Sequence, residues 1–211
     1  MKKFLVIGNP IEHSLSPKIH NYWMKLHNIK AIYEKALLAK DELKEIINEV
    51  KSGKVDGLNI TLPFKKVIIP LLDELTPLAN ETRSVNTVFR KDGKVFGENT
   101  DANGFKKALQ YTNFKIKNKS ALILGAGGVV TSIIYALKKL GVSKIFVSNR
   151  TKKYAEQIKK VYSNIEVVDW GITKDTDIII NATSLGLKKT DDIDIDLKSI
   201  GKNKLFYDII Y

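Results

Sequence analysis

Apolar positions along this 211-residue chain recur with two different periods, and the two alternate. Short apolar runs of strand type occupy residues 3–8, 32–38 and 55–62, the first ended by the breaker pair Asn9-Pro10. Between them the spacing lengthens to that of a helix. Ser16 with Pro17 has the chemistry of a helix cap and first turn, after which Ile19, Tyr22, Trp23 and Leu26 recur at helical spacing. Residues 41–50 are amphipathic in the same way. Two strand–helix–strand units in succession predict a parallel sheet, because a parallel pair needs a crossover long enough to hold a helix. Residues 85–89 and 94–97, joined by Lys91-Asp92-Gly93, predict a hairpin instead.

The pattern then restarts. Thr100 is placed to cap a helix over 101–111, and the turn-rich Lys117-Asn118-Lys119 leads into a strand over 120–124. A Gly-rich turn follows, then a helix over 128–140 with Val130, Ile133, Ile134, Leu137 and Leu140 on one face and Gly141 as its stop. Strands over 144–148, 165–168, 177–182 and 205–207 and a helix over 151–162 complete the series. No sequence repeat accompanies the repeated architecture. The reading is an α/β fold of two domains, residues 1–101 and 102–211, the second of Rossmann type.

Composition narrows the chemistry. With 44% hydrophobic and 27% charged residues the chain is near the globular average, which excludes disordered, collagen-like and low-complexity classes. No apolar run approaches the roughly 20 residues that cross a bilayer, so no membrane partner is expected. Zero cysteines exclude disulfides, thiolate metal sites and a Cys nucleophile, and three scattered histidines leave no expected metal site. Met-Lys-Lys followed by four apolar residues is too short for a signal peptide, so the expected compartment is the cytoplasm.

The formal charge of +12 is localised: residues 102–160 hold thirteen Lys and Arg against one Glu. A Lys-rich solvated surface, a polyanionic small ligand and a nucleic acid all fit such a stretch. Only three arginines in the chain, and no aromatic-rich binding strand, argue against nucleic acid.

Within the basic stretch, Gly125-Ala126-Gly127-Gly128 closes a predicted strand and opens a predicted helix. Glycines there let backbone approach a pyrophosphate, and a helix N-terminus supplies N–H donors. Val130 stands at the third Gly position of G-x-G-x-x-G. The next strand ends in Asn149-Arg150-Thr151, where an enzyme preferring NAD would place an acidic residue for the ribose hydroxyl; a cation favours the 2′-phosphate of NADP(H). In the first half, Asn59 and Thr61 fall on the same side of a strand end by the two-residue alternation, and Lys65 follows the turn, with neighbouring Lys66 equal to it in composition. Ser14 and Ser16, Asn86-Thr87 and Asn99-Thr100-Asp101 also lie at or just beyond strand ends, where ligands bind in α/β sheets.

Taken in order, Gly8-Asn9-Pro10, His13-Ser14-Leu15-Ser16-Pro17, Asn59-Ile60-Thr61-Leu62-Pro63-Phe64-Lys65, Val85-Asn86-Thr87, Asn99-Thr100-Asp101, Gly125-Ala126-Gly127-Gly128, Asn149-Arg150-Thr151, Asn181-Ala182-Thr183-Ser184 and Tyr207-Asp208 resemble the shikimate dehydrogenase family over essentially the whole chain. The resemblance implies NADPH-dependent, reversible reduction of 3-dehydroshikimate to shikimate in aromatic amino-acid biosynthesis, by a monomer or homodimer. It implies Lys65 and Asp101 as the acid–base pair, and Ser14, Ser16, Asn59, Thr61, Asn86 and Tyr211 at the substrate. For the cofactor it implies Gly125, Ala126, Gly127, Gly128, Val129, Asn149, Arg150, Thr151, Thr183 and Ile209. Three departures stand out. Tyr154 replaces a second Arg after the Asn-Arg-Thr motif, so Lys152 or Lys153 is expected to serve instead. Val129-Val130-Thr131 replaces Ala and a basic residue. A further helical segment that the family carries after the Tyr207-Asp208 motif is not among the 211 residues, and its loss is expected to expose apolar surface on the substrate domain. The alternatives are a quinate/shikimate dehydrogenase of broader specificity, another NADP oxidoreductase sharing only the Gly turn, and an NADP-binding homologue without activity.

Overall fold

The computed structural model describes residues 1–193, 195 and 200–210. The chain divides into two compact units, Met1–Thr100 and Asp101–Tyr211, so Asp101 belongs to the second.

In the first unit, strand β1 (Lys2–Gly8), helix α1 (Ser16–Leu26), β2 (Ala31–Leu37), α2 (Leu43–Ser52) and β3 (Gly57–Ile60) make the two predicted crossovers. A 3-10 turn at Ile69–Leu71, β4 (Glu74–Leu75) and α3 (Pro77–Thr82) follow, and β5 (Thr87–Lys91) and β6 (Lys94–Glu98) form the hairpin. The sheet order is β2-β1-β3-β5-β6-β4. It is mixed: β1 runs parallel to β2 and β3, while β5 runs antiparallel to both β3 and β6. Asp92 and Gly93 both have positive φ, 50° and 76°, as a tight hairpin turn that follows the sheet twist requires.

Helix α2 buries Leu43, Ile46, Ile47 and Val50, spaced for one face, against Leu5, Ile7, Leu58 and Ile60 of the sheet, and ends at Gly53 in the left-handed region. Helix α1 behaves differently. None of its residues is buried, and the predicted apolar face is exposed: Ile19 39%, Tyr22 64%, Trp23 51% and Leu26 59%. Another face of the helix makes the attachment to the sheet, where Met24 packs against Val6, Ile11 and Tyr33, Asn21 bonds both backbone groups of Tyr33 and the His20 ring stacks on the Tyr33 ring. The predicted cap at Ser16 also shifts: Ser16 opens the helix, and the capping position falls on Leu15, whose side chain makes no capping bond.

In the second unit, helix α4 (Asp101–Tyr111) leads into β7 (Ser120–Leu124), α5 (Val130–Lys139), β8 (Lys144–Ser148), α6 (Lys152–Val161), β9 (Ile165–Val168), β10 (Ile178–Asn181) and β11 (Leu205–Asp208). All five strands are parallel, in the order β11-β10-β7-β8-β9. One face packs Phe105, Leu109, Ile133, Ile134, Leu137 and Ile158 from the helices over Ile123, Val147 and Ile180. On the other face Leu122, Leu124, Phe146 and Ile179 meet Trp170, Ile193 and Ile200 from irregular chain. Helix α5 starts two residues later than the apolar pattern predicts because residues 127–129 form a turn, with Val130 N–H donating to the Gly127 carbonyl at 3.2 Å. The chain lays down β7, β8 and β9 in one direction and then returns to put β10 on the other side of β7. That reversal makes the carboxyl ends of β7 and β10 the switch point of the sheet, the usual ligand position in such folds. Among the described residues no helix is long and apolar enough to cross a membrane.

Candidate active site

In the first unit, parallel pairing of β1 with β3 brings the Gly8-Asn9-Pro10 and Thr61-Leu62-Pro63 turns to one end of the sheet, beyond the carboxyl ends of the two strands. Thr61 N–H donates to the Ile7 carbonyl at 2.9 Å and Asn9 N–H to the Leu62 carbonyl at 3.0 Å. Gly8 has no room for a side chain, since a Cβ would lie 2.5 Å from Thr61 Cγ2. Beyond β1, half-buried Ser14 and Ser16 share a turn in which Ser16 N–H faces Ser14 Oγ at 3.4 Å.

Buried Phe64 anchors the segment carrying half-buried Lys65, whose carbonyl accepts from Val85 N–H at 2.8 Å. The Asn86 carbonyl accepts from Ile60 N–H at 2.8 Å and from Asn59 Nδ2 at 3.2 Å. Asn86 in turn grips Thr100, accepting its N–H on Oδ1 and donating from Nδ2 to its Oγ1, both at 2.8 Å. Asn99 is 1% exposed and donates from Nδ2 to the Ser84 carbonyl at 2.9 Å. Asn59, Thr61, Lys65, Asn86 and Thr100 are thereby tied to one end of one sheet. Lys66 is exposed overall, with its ammonium value lowered by partial desolvation. Asp101, half-buried, opens α4 in the second unit. Tyr211 lies outside the described residues.

In the second unit the Gly turn is a matter of backbone. Gly125 has φ +112°, and a Cβ there would lie 2.5 Å from the Ala182 carbonyl oxygen, so only glycine fits between β7 and β10. Its N–H donates to the Ser148 carbonyl, and Ala182 N–H to the Leu124 carbonyl, both at 2.7 Å. At Gly127 a Cβ would meet nothing within 4 Å, so the backbone there faces open space. Val129, the residue before α5, has no side-chain oxygen to compete with an anion for the first-turn N–H groups. This cradle fits a dinucleotide pyrophosphate.

At the end of β8, Asn149 Nδ2 donates to the Thr151 carbonyl at 2.8 Å and Arg150 is exposed. Lys152 is already paired with Asp169 at 2.7 Å, a hydrogen bond and charge that raise its ammonium value. Of the two lysines expected to replace a second Arg, only Lys153 shows no carboxylate partner in the described ion pairs. On the other side of the Gly turn, Asn181 Oδ1 accepts from Thr183 N–H (3.1 Å) and Oγ1 (2.7 Å), while its Nδ2 donates to Asp208 at 3.1 Å. Ile209 N–H donates to the Asn181 carbonyl at 3.1 Å. One asparagine thus sets both Thr183 and Ile209. Gly125 to Val129, Asn149 to Thr151, Thr183 and Ile209 all lie just beyond the carboxyl ends of β7, β8, β10 and β11. Among the described residues no cluster of His, Asp or Glu is arranged to hold a metal.

One participant escapes the sequence pattern. Tyr33, 4% exposed, donates from its hydroxyl to Asn59 Oδ1 at 2.6 Å. The available signal was slight: a tyrosine in a strand needs a partner for its hydroxyl, but the pattern does not name the partner.

Comparison with known proteins agrees with both halves. Residues 6–88 match the family model described as shikimate dehydrogenase substrate binding domain, and residues 106–209 that described as shikimate / quinate 5-dehydrogenase. A relative from Pelagibacter ubique named shikimate dehydrogenase (NADP(+)) is 56% identical over 210 residues, covering all of this chain and 79% of its own length. The crystal structure of shikimate dehydrogenase from Aquifex aeolicus superposes with a TM-score of 0.93 at 40% identity, over the whole of this chain and 79% of that one. The Thermus thermophilus shikimate 5-dehydrogenase, crystallised with NADP(H) and shikimate, gives 0.89 at 31% identity with the same coverage. With motif, fold and relatives in agreement across both units, the chain belongs to the shikimate dehydrogenase family.

Proposed function

We propose that this chain catalyses the reversible NADPH-dependent reduction of 3-dehydroshikimate to shikimate, with Met1–Thr100 as the substrate-binding domain and Asp101–Tyr211 as the NADP-binding domain. The observation that carries the reading is the cluster beyond the carboxyl ends of β1 and β3, where the backbone of half-buried Lys65 is tied to Val85 and the same end of the sheet carries the amides and hydroxyls of Asn59, Thr61, Asn86 and Thr100. Such a set suits a polyhydroxylated carboxylate whose carbonyl is to be reduced. The family membership and the relatives' names support it.

NADPH, when bound on Gly125 to Val129 with its 2′-phosphate at Arg150, supplies the hydride. Lys65, as an ammonium, stabilises the negative charge that develops on the substrate oxygen and protonates it; in the reverse direction it takes the hydroxyl proton. Asp101, at the start of α4, is the other member of the proposed acid–base pair. Ser14 and Ser16 hydroxyls, beside the N-terminal end of α1, receive the carboxylate. Thr61 and Asn86, with Asn59 alongside, recognise ring hydroxyls. The aromatic amino-acid pathway and a cytoplasmic setting complete the reading, the latter supported by a cysteine-free composition.

NADPH consumption by the purified chain, measured with 3-dehydroshikimate and with 3-dehydroquinate, tests this. Turnover confined to 3-dehydroshikimate is expected. Comparable rates on both would assign the broader quinate/shikimate specificity, and NADPH binding without turnover would identify a silent homologue.

A further inference from the structure

We propose that Tyr33 is a positioning residue for substrate recognition, acting through a chain of hydrogen bonds that ends on the Asn86–Thr100 pair. The inference rests on the reading of the first unit as the substrate domain.

The direction of the chain follows from groups with no choice of role. The Asn86 backbone carbonyl only accepts, so the Asn59 atom 3.2 Å from it is the amide nitrogen, and the atom facing Tyr33 is Oδ1. Thr100 N–H only donates, so the Asn86 atom 2.8 Å from it is Oδ1. With both amides oriented, the direction is set as far as Asn86, which exchanges bonds with Thr100: Thr100 Oγ1 also donates to Asn86 Oδ1 at 3.2 Å. Tyr33 donates to Asn59 Oδ1 at 2.6 Å, Asn59 Nδ2 donates to Thr87 Oγ1 at 3.2 Å, Thr87 donates to Asn86 Oδ1 at 3.2 Å, and Asn86 Nδ2 donates to Thr100 Oγ1 at 2.8 Å. Dipoles aligned head to tail polarise one another, so the chain holds its members more firmly than separate pairs would.

Two consequences follow. Asn59 has already given its amide hydrogens to the Asn86 carbonyl and Thr87, so it offers a substrate oxygen no donor and acts by holding Asn86 and Thr87 in place. The chain's origin is clamped from α1: the His20 ring lies on Tyr33 with centroids 4.3 Å apart and planes 8° apart, and Asn21 bonds the Tyr33 backbone at 3.0 and 2.7 Å. Helix α1, which buries none of its residues, thereby fixes the ring on which the alignment of Asn86 depends.

Tyr33→Phe keeps the ring and its stack and deletes only the hydroxyl. In the full chain it is expected to raise the KM for shikimate by about fivefold to tenfold, with kcat within about twofold and the KM for NADP unchanged. Thr87→Val cuts the chain at its middle without touching the aromatic stack and is expected to do the same. The double variant is expected to be no worse than the more affected single one, because the second cut falls in a chain already broken. A wild-type KM in a folded Tyr33→Phe or Thr87→Val protein, or multiplicative effects in the double variant, would overturn the inference. If Tyr33→Phe does not fold, Thr87→Val decides alone, with a wild-type KM overturning it. A wild-type chain that neither binds nor oxidises shikimate would instead remove the functional reading, and this inference with it.

Discussion

The two units build their candidate sites from different materials. In the first, recognition is built from side chains held by hydrogen bonds from side chains and backbone alike: Tyr33 by His20 and Asn21, Asn59 by Tyr33 and the Asn86 carbonyl, Asn86 by Thr87 and the Thr100 N–H. In the second, the cradle is backbone, shaped by Gly125 at φ +112° and by open space at Gly127, and only the rim at Arg150 and Thr183 relies on side chains. A side-chain site is deleted atom by atom with the fold intact. A backbone site is damaged by adding atoms, and the damage falls on stability or on binding according to which glycine is filled.

The largest effect that can break this contrast is at Lys65. What ties Lys65 to Val85 is its carbonyl, so Lys65→Ala is expected to leave folding unchanged while lowering kcat by about 10²- to 10⁴-fold, with KM shifted only a few-fold. Steady-state kinetics beside a denaturation curve checks it, and a near-normal kcat would end the side-chain account of the first unit. Next come the two glycines. Gly125→Ala forces a strained φ and drives a Cβ against the Ala182 carbonyl, costing about 2 kcal/mol or more of stability in urea titration. Gly127→Ala meets nothing in the free chain and should change stability by less than about 0.5 kcal/mol, yet weaken NADPH by about tenfold in a fluorescence titration. Normal NADPH affinity in Gly127→Ala would show that close backbone approach is not how the second unit binds.

Arg150→Gln sharpens the rim. Losing a charge-assisted contact to the 2′-phosphate is expected to weaken NADPH by about tenfold or more and leave NADH unchanged; equal loss for both would reassign the residue. The smallest effect concerns the opposite ends of the strands. Asp177 is held down to about 2 by the Lys119 ammonium, with the Ser120 N–H and hydroxyl contributing, in bonds of 2.9 Å that join the starts of β7 and β10. Because its value is lowered on folding, its contribution is present in full above the ordinary carboxylate range near 3.8 and is lost as pH falls to about 2. Asp177→Asn should therefore cost about 1 kcal/mol or less at neutral pH, discounted for solvent exposure, with the difference from wild type closing across that acid window.

Legibility divided along the same line. Strands over 120–124, 144–148 and 165–168 and the helix over 101–111 coincide with β7, β8, β9 and α4 because parallel strands covered on both faces are continuous apolar runs with breakers at their ends. The stretch 66–84 yielded no element, although it holds a 3-10 turn, β4 and α3. These are too short to carry a period and are pinned from outside, by Asp73 accepting from Val95 N–H at 2.8 Å and by Thr76 capping α3 while it bonds Glu98. On α1 the apolar stripe stays exposed because anchoring of His20, Asn21 and Met24 on Tyr33 and its neighbours turns another face toward the sheet. At the site, the Gly turn and Arg150 were visible as local motifs.

What the amino-acid sequence determined by itself is what depends on neighbours within a turn or two: the alternation of strands and helices, the glycine turn, the cation at residue 150 and the types of group offered at strand ends. Only the tertiary structure decided that β10 returns beside β7, that Asp177 closes on Ser120, and that Tyr33, Asn59, Thr87 and Thr100 form one chain. Apart from the link between the neighbours Asn86 and Thr87, those bonds join residues 14 to 57 positions apart, and no local pattern specifies them; they exist only once strand order and register have been set by burial of the apolar faces between them.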